Sequence, residues 1–556
     1  MARANLRLAR RRTGPQMECS WISPAELPGA TRLYSSFLSD FPRASDFYHH
    51  PPNATGIDES AREMRLDDSV RRAVADVLRE QNQIFGGDDA TARNLDRLRD
   101  GAFAVVTGQQ VGLFGGPAYS IYKALTAIHA ARELTDLGLN AVPIFWLATE
   151  DHDLAEVDHC FFPKRGGFER FELPVTGLPD RRVGDIQLGE EVRPLTEKLD
   201  AFLEGSQAEE VSRCLKESYA PGETFGSSFG KLMARIFTGR GLIFLDPISP
   251  ELHRLSLPTM MRAVKEHKAL AAELVARTEA LEKAGFHAQV KVTGGSTLVF
   301  RIVNGQRLSL RPVNGGLAAG DKTESLDETL KALEDRPEDF SPSALLRPVI
   351  QDTLLPTVAY IAGPAEVAYH AQTSLIYKKI LGRAPAILPR AGFTLVPPHV
   401  SNLLKKYNID AREILEGRHK LRARLEAEAL PQALTARFDE SEQAIKALVE
   451  GLREPITKLD RTLLGALDTA SEKILYQLNG LRAKAGRAEG FRTGVVNTHE
   501  NEIASWLFPN NALQERSFGL LTFLAAEGRE LLDRLDSHIK TGTGEHCFLF
   551  LEPAAK

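Results

Sequence analysis

Residues 105–159 read VVTGQQVGLFGGPAYSIYKALTAIHAARELTDLGLNAVPIFWLATEDHDLAEVDH, and this stretch decides the fold. It passes from a short apolar run through a glycine-rich loop into a helical pattern, then into a second apolar run and an acidic cluster. Those are the parts of one βαβ unit. Strands are predicted at Phe103 to Val106 and at Val142 to Ala148, both nearly all apolar, as strands are when a parallel sheet is covered on both faces. The amphipathic helix between them is predicted to open at Pro117 and to stop at Leu137-Gly138.

In open α/β sheets ligands settle past the carboxyl ends of the strands, so the two loops at those ends hold the candidate chemistry. The first, Thr107 to Gly116, sets Gly108, Gly112, Gly115 and Gly116 beside Gln109 and Gln110. Such a loop lets backbone amides approach a ligand and point at an anion on the helix N-terminus, with Tyr119 and the cationic Lys123 just inside the helix. Its spacing is neither a GxGxxG fingerprint nor a Walker loop, and a plain tight turn would also use glycine. The second loop carries Glu150, Asp151, His152 and Asp153, followed by Glu156, Asp158 and His159. Carboxylates packed around a histidine repel one another unless a cation binds or a proton is shuttled there. On a continuous helix His152, Glu156 and His159 would share a face and form a metal set; an acidic helix start is the plainer alternative.

A further strand, Thr357 to Ala362, ends in Gly363-Pro364, and the helix after it presents Glu366, Tyr369 and His370 in its first two turns. A ligand site suits that arrangement, although Tyr369 and His370 are equally compatible with a core. Arg390, after another strand, is a candidate carboxylate binder because its fork offers two parallel donors.

The stretches TGQQVGLFGGPAYSIYK and FWLATEDHDLAEVDH, with GFHAQV at 285–290, AYIAGPAEVAYHAQ at 359–372, LPRAGFTLV at 388–396 and LQERSFGLLTFLAAEG at 513–528, closely resemble the BshC family. Its members are cysteine ligases that complete bacillithiol by joining cysteine to glucosaminyl-malate. The resemblance runs from about Trp21 to the C-terminus. It implies an α/β fold, a Rossmann-like parallel-sheet core with inserted connecting segments, plus an α-helical coiled-coil domain that promotes dimers. It also implies an amide-forming ligase, for which ATP is the expected energy source. Residue types then suggest roles. Lys123 and the loop amides would stabilise developing negative charge. His152, positioned by Asp151 or Asp153, would take the proton of the attacking amine. Arg390 would hold the malyl carboxylate, and Thr107, Gln109, Gln110, Gly115, Gly116, Tyr119, Glu150, Gly363, Glu366, Tyr369 and His370 would line the substrate or nucleotide site. Two other readings compete: a metal-dependent hydrolase or transferase using Glu150, His152, Glu156 and His159, and a non-catalytic partner protein whose coiled coil is the working surface.

The 556 residues exceed what one core supports, so several domains are expected. With 43% hydrophobic and 26% charged residues and a net charge of −5, the composition is that of a globular protein and offers no basic surplus for nucleic acid. Cys19, Cys160, Cys214 and Cys547 are far apart and form no CxxC, which argues against a disulfide framework or a cysteine zinc site and for a reducing cytoplasm. Residues 1–16 hold five arginines and are expected to be a disordered basic tail. No stretch approaches the roughly 18 apolar residues of a membrane span. The core is expected over 17–399, with insertions at about 161–240 and 286–346; the second contains an Asn304-Gly305 hairpin turn. Residues 400–490 lose strand patterning and repeat apolar residues at three and four, a coiled-coil or long-hairpin pattern broken at Pro431 and kinked at Pro455. A homodimer through that domain is expected, with residues 491–556 packing back on the core.

Overall fold

The computed structural model describes residues 19–174 and 180–552, so the basic tail and part of the proline- and glycine-rich segment before Asp180 lie outside the described residues. The chain divides into two compact units. The larger comprises Ile22–Phe393 and Phe508–His546, and the smaller is built mainly on Thr394–Leu507.

The larger unit is organised by five parallel strands: β1 (Phe103–Gln109), β2 (Ala141–Leu147), β3 (Ile243–Leu245), β4 (Thr357–Ala362) and β5 (Ala386–Pro389). Their order across the sheet is β5-β4-β1-β2-β3, with Val106 opposite Ile144 on one side and Tyr360 on the other. The chain therefore builds outward from β1 to β3 and then returns to the other side of β1. Alternate residues of β1 enter different cores: Ala104 and Val106 join one cluster with Ile144, Trp146 and Ala362, whereas Val105 joins another with Ala127, Val358 and Ile361. Because both faces are covered, the strands are mostly apolar, with Thr107 and Gln109 at the carboxyl end of β1 and Thr357 at the start of β4 as the polar exceptions. Truncating a fully buried aliphatic such as Ile144 to alanine costs roughly 2–5 kcal/mol in such a core.

Helix α1 (Tyr119–Asp136) links β1 to β2. It begins two residues after Pro117 and ends before Gly138, which adopts φ 94°. The expected amphipathic pattern is corrected here: residues Ser120 to Ala131 are buried almost continuously, because the helix is covered on more than its sheet-facing side. After β2, only Leu154–Val157 (α2) is helical, and His159 already begins the strand His159–Lys164, paired with Gly167–Glu172. The predicted hairpin is present: Val299–Val303 pairs antiparallel with Gln306–Ser309, and Asn304 and Gly305 both take positive φ, 53° and 80°.

In the smaller unit two long helices, α5 (Gln432–Leu459) and α6 (Leu464–Thr493), pack on each other. Pro431 caps α5, while Pro455 sits inside it without ending it. The cysteine expectation needs correction. Cys19 and Cys547 are bonded through their sulfurs across a sequence separation of 528, because the first and last strands of the chain are neighbours in one sheet. Among the described residues no helix is long and apolar enough to cross a membrane.

Candidate active site

The order β5-β4-β1-β2-β3 reverses direction between β1 and β4, and the crevice past their carboxyl ends is where such sheets bind ligands. A cleft of about 530 Å³ opens there. Gly108, Gln109 and Gln110 line it from the end of β1, and Gly363, Pro364 and Glu366 from the start of helix α4 (Pro364–Ile380) after β4. Gly108 is dictated by packing, since a Cβ there would lie 3.2 Å from both Cβ and O of Trp146 on β2.

Lys123 ties the two sides together. Its ammonium donates to Gly108 O at 2.7 Å and Gln109 Oε1 at 3.0 Å and pairs with Glu366. Glu366 in turn accepts from the Gly363 N–H at 2.7 Å and the Tyr360 hydroxyl at 2.8 Å. Burial pushes the Lys123 ammonium below its usual value and works to raise Glu366, but Lys123, Gly363 and Tyr360 together hold the Glu366 carboxyl below the usual carboxylate range. An ammonium has three donors, and protein groups use all three of these. Lys123 thus clamps β1 to α4 and has no donor left for a transition state.

The acidic loop is stitched to the hairpin. Asp151 accepts the His152 N–H at 2.8 Å on one oxygen and Gln110 Nε2 at 2.8 Å on the other. Arg307, brought in by the hairpin, donates to Ser341 Oγ, Pro342 O and His152 Nδ1, the last at 2.8 Å, with its guanidinium 3.9 Å from the Phe300 ring centre. Burial works against the Asp151 charge, yet Arg307, the His152 backbone N–H and Gln110 hold that carboxyl well below the usual range. Glu150 lies 3.3 Å from His253 Nε2, and Thr149 donates to Asp246 at 2.5 Å.

Arg347, at the start of α3 (Arg347–Leu354), faces the cleft with neutral partners only: Tyr360 OH at 3.2 Å, Tyr369 OH at 3.0 Å and Gln351 Oε1 at 3.2 Å. Burial opposes its charge, but the tyrosine oxygens and Glu366 raise its pKa further above the ordinary value. His370 stacks beside Tyr360 and Tyr369 and is 2% exposed; burial, reinforced by Arg347, lowers its pKa to about 3, so it is neutral near pH 7. Arg390 does use its fork on a carboxylate, but that carboxylate is Glu515, at 2.5 and 3.0 Å.

The N-terminal portion, residues 17–391, matches the family model described as "Bacillithiol biosynthesis BshC, N-terminal Rossmann-like domain", and residues 393–551 match its "C-terminal coiled-coil domain". The chain belongs to the BshC family. A protein of Koribacter versatilis named "Putative cysteine ligase BshC" is 40% identical over 515 residues, covering 92% of this chain and 96% of that relative. Identically named proteins of Solibacter usitatus and Salinibacter ruber are 35% and 32% identical, over 95% and 94% of this chain and 99% and 97% of theirs.

In this BshC chain the cleft gathers Gln109, Gln110, Tyr119, Lys123, Glu150, Asp151, His152, Gly363, Glu366, Tyr369 and Arg390. It does not gather Thr107, Gly115, Gly116, Asp153 or His370 as lining residues. Thr107 is buried inside the sheet, donating to Ile361 O at 2.9 Å. The glycine loop is a packing turn and not an anion cradle: the Gly112, Gly115 and Gly116 amides bond to Gln110, Gly112 and Leu113 carbonyls, and a Cβ on Gly112 would meet Gly116 Cα at 2.8 Å. Asp153 is exposed at the start of α2 and makes no hydrogen bond to His152. The proposed metal set does not assemble either. His159 lies on a strand with Asp158 2.8 Å from its Nδ1, Glu150 faces His253, and among the described residues no group of three or more His, Cys, Asp or Glu could hold a metal ion.

Arg307, Arg347 and Arg516 line the cleft and were not singled out from sequence. Arg307 carries one signal, a charged residue on a short strand directly after an Asn-Gly turn. Arg347 carries none, since an arginine at a helix start is ordinary.

Proposed function

We propose that this chain is a cysteine ligase, forming the amide between the cysteine carboxyl group and the glucosamine amine of glucosaminyl-malate as the last step of bacillithiol synthesis. The observation that carries the reading is BshC membership over nearly the whole chain, with relatives named as cysteine ligases, joined to a cleft with several charged side chains in its lining at the switch point of the sheet. The chemistry of the cleft suits small charged substrates. Arg347 is a charged guanidinium without a carboxylate within 4 Å among the described residues, and it is the group we assign to the malyl carboxylate in place of Arg390. Gln110 Oε1 and Ser343 Oγ also border the cleft as buried polar atoms without a hydrogen-bond partner among the described residues, which is the state of groups that pair with a ligand.

Joining a free carboxylate to an amine in water requires a good leaving group on the acyl carbon, so we include ATP as the activating substrate and place the reaction in the cytoplasm, where ATP and cysteine are supplied. The Gly112, Gly115 and Gly116 amides are engaged within the turn, so we assign a phosphate grip to side chains such as Arg516 at the rim. We further propose a homodimer through the coiled-coil domain. Along α5 and α6, Leu448, Leu459, Tyr476 and Phe491 are 72%, 80%, 75% and 86% exposed, an apolar load that a second copy would cover. Sedimentation of a Leu448→Glu/Leu459→Glu variant should shift from dimer to monomer.

The test of the activity is calorimetric titration with glucosaminyl-malate, followed by incubation with cysteine and ATP and mass spectrometry of the product. Saturable binding and a cysteinyl amide are expected. Binding without amide under ATP, GTP or a preformed cysteinyl adenylate would overturn the ligase assignment.

A further inference from the structure

His152 has the residue type of a general base, and its surroundings give it the opposite polarity. Two charged groups compete for its Nδ1. Asp151 Oδ1 lies 3.3 Å away and could only accept a proton from it. Arg307 Nη1 lies 2.8 Å away and can only donate to it, because a guanidinium has no acceptor and stays protonated. The two arrangements exclude each other. With a proton on Nδ1, two N–H donors would face each other at 2.8 Å, beside a guanidinium that is held in place by its bonds to Ser341 Oγ and Pro342 O. With Nδ1 bare, the arginine bond is short and direct, and the same Nη1 lies 3.6 Å from Asp151 Oδ1, softening the contact between the two acceptors. Asp151 also does not need the ring, since its oxygens already take the His152 backbone N–H and Gln110 Nε2.

We propose that Arg307 fixes His152 as the Nε2–H tautomer, so that the ring presents a hydrogen-bond donor to a substrate oxygen in the cleft and is not the base that deprotonates the attacking amine. Arg307 is a positioning residue in this scheme, acting through the imidazole ring. The ring borders the cleft and is about a third exposed, 31%, so a ligand oxygen can reach Nε2. Asp151 and Arg307 contact the ring, Glu150 and Arg182 act on Arg307, and Asp153 and Glu156 follow on the same loop and α2. Among the carboxylates that line the cleft, Glu150 faces His253, Asp151 is held by Arg307 and Gln110, and Glu366 is held by Lys123. Glu156 has no cation within ion-pair distance among the described residues, which leaves it to take the amine proton.

The scheme concerns the same cleft as the proposed ligase activity, but its decisive test needs no substrate, so the two can fail separately. Full-length protein labelled with 15N-histidine is examined by long-range 1H–15N correlation at a pH where the ring is neutral, with the His152 signals assigned by their loss in His152→Gln. A protonated Nε2 and a bare Nδ1 are expected. A protonated Nδ1 would overturn the proposal. Asp151→Asn should leave the tautomer unchanged, whereas Arg307→Gln should move the proton to Nδ1, and an unchanged ring in a folded Arg307→Gln protein would remove Arg307 from the scheme. In turnover, losing a donor to a developing charge costs about 100-fold in kcat. His152→Ala should therefore fall by about that factor, and His152→Gln, whose amide places a donor near the Nε2 position, should recover about tenfold of it; equal loss in both variants would restore the base assignment.

Discussion

Replacing Glu515 by alanine would strip the buried Arg390 of its counter-charge. The carboxylate accepts two bonds from that guanidinium, at 2.5 and 3.0 Å, and a third from the Phe393 N–H at 3.1 Å, and the two side chains are only 6% and 2% exposed. Truncation leaves a charged group without its counter-charge, bonded only to Ala391 O among the described residues, and a backbone donor without its acceptor in a place water reaches poorly, so the cost is that of breaking a buried pair, about 3–5 kcal/mol, and not the small net worth of a surface bridge. Replacing both residues together, as Arg390→Met/Glu515→Leu, should cost less than the single change, because no charge is stranded. Urea unfolding followed by tryptophan fluorescence and circular dichroism measures both variants and closes the double-mutant cycle. The pH dependence has a fixed sign. Burial works to raise Glu515, but Arg390 and His546 hold it below its usual pKa, so its contribution is present above the unfolded value of about 4.3 and fades as pH falls through the folded value. Wild type and Glu515→Gln should accordingly converge in stability only once the pH has fallen through that lowered folded value. A loss under about 1 kcal/mol for Glu515→Ala at pH 7 would refute the buried-pair account and return Arg390 to the substrate.

Arg347→Met should raise KM for glucosaminyl-malate by roughly 10- to 100-fold, the worth of a charged hydrogen bond, with a smaller change in kcat; steady-state kinetics against substrate lacking the malyl group would show no such penalty. Gly112→Ala forces a Cβ against the Gly116 backbone and should lower stability by about 1–3 kcal/mol, read as a lower unfolding midpoint. Burial pushes the Cys160 thiol up to about 12, so at pH 8 iodoacetamide should label Cys214 while leaving Cys160 intact in the folded protein, as peptide mass mapping would show. The same mapping without reductant should recover Cys19 and Cys547 in one linked peptide pair.

Local rules made much of the architecture legible. The apolar runs around Val105 and Ile144 announced central parallel strands because burial on both faces leaves no room for alternation, and Asn304-Gly305 announced a hairpin because its two positive φ values suit those residues. The same rules misjudged the glycine loop. Four glycines near a helix start look alike whether their amides face a ligand or one another, and here Gly112 and Gly116 approach each other too closely for any side chain. The metal face failed for a related reason: helical spacing from His152 to His159 holds only if the helix continues, and it ends at Val157.

By itself, the sequence determined the βαβ core, the hairpin, the change to a helical domain and which loops would meet at the carboxyl edge, since each follows from periodicity or turn chemistry within a few residues. Only the tertiary structure decided which charge answers which. Arg307 reaches His152 across 155 residues, Glu515 reaches Arg390 across 125, and Arg347 is left to tyrosines. Pairing of buried charges depends on distance and desolvation in the folded chain, and neither quantity is written in the spacing of residues along it.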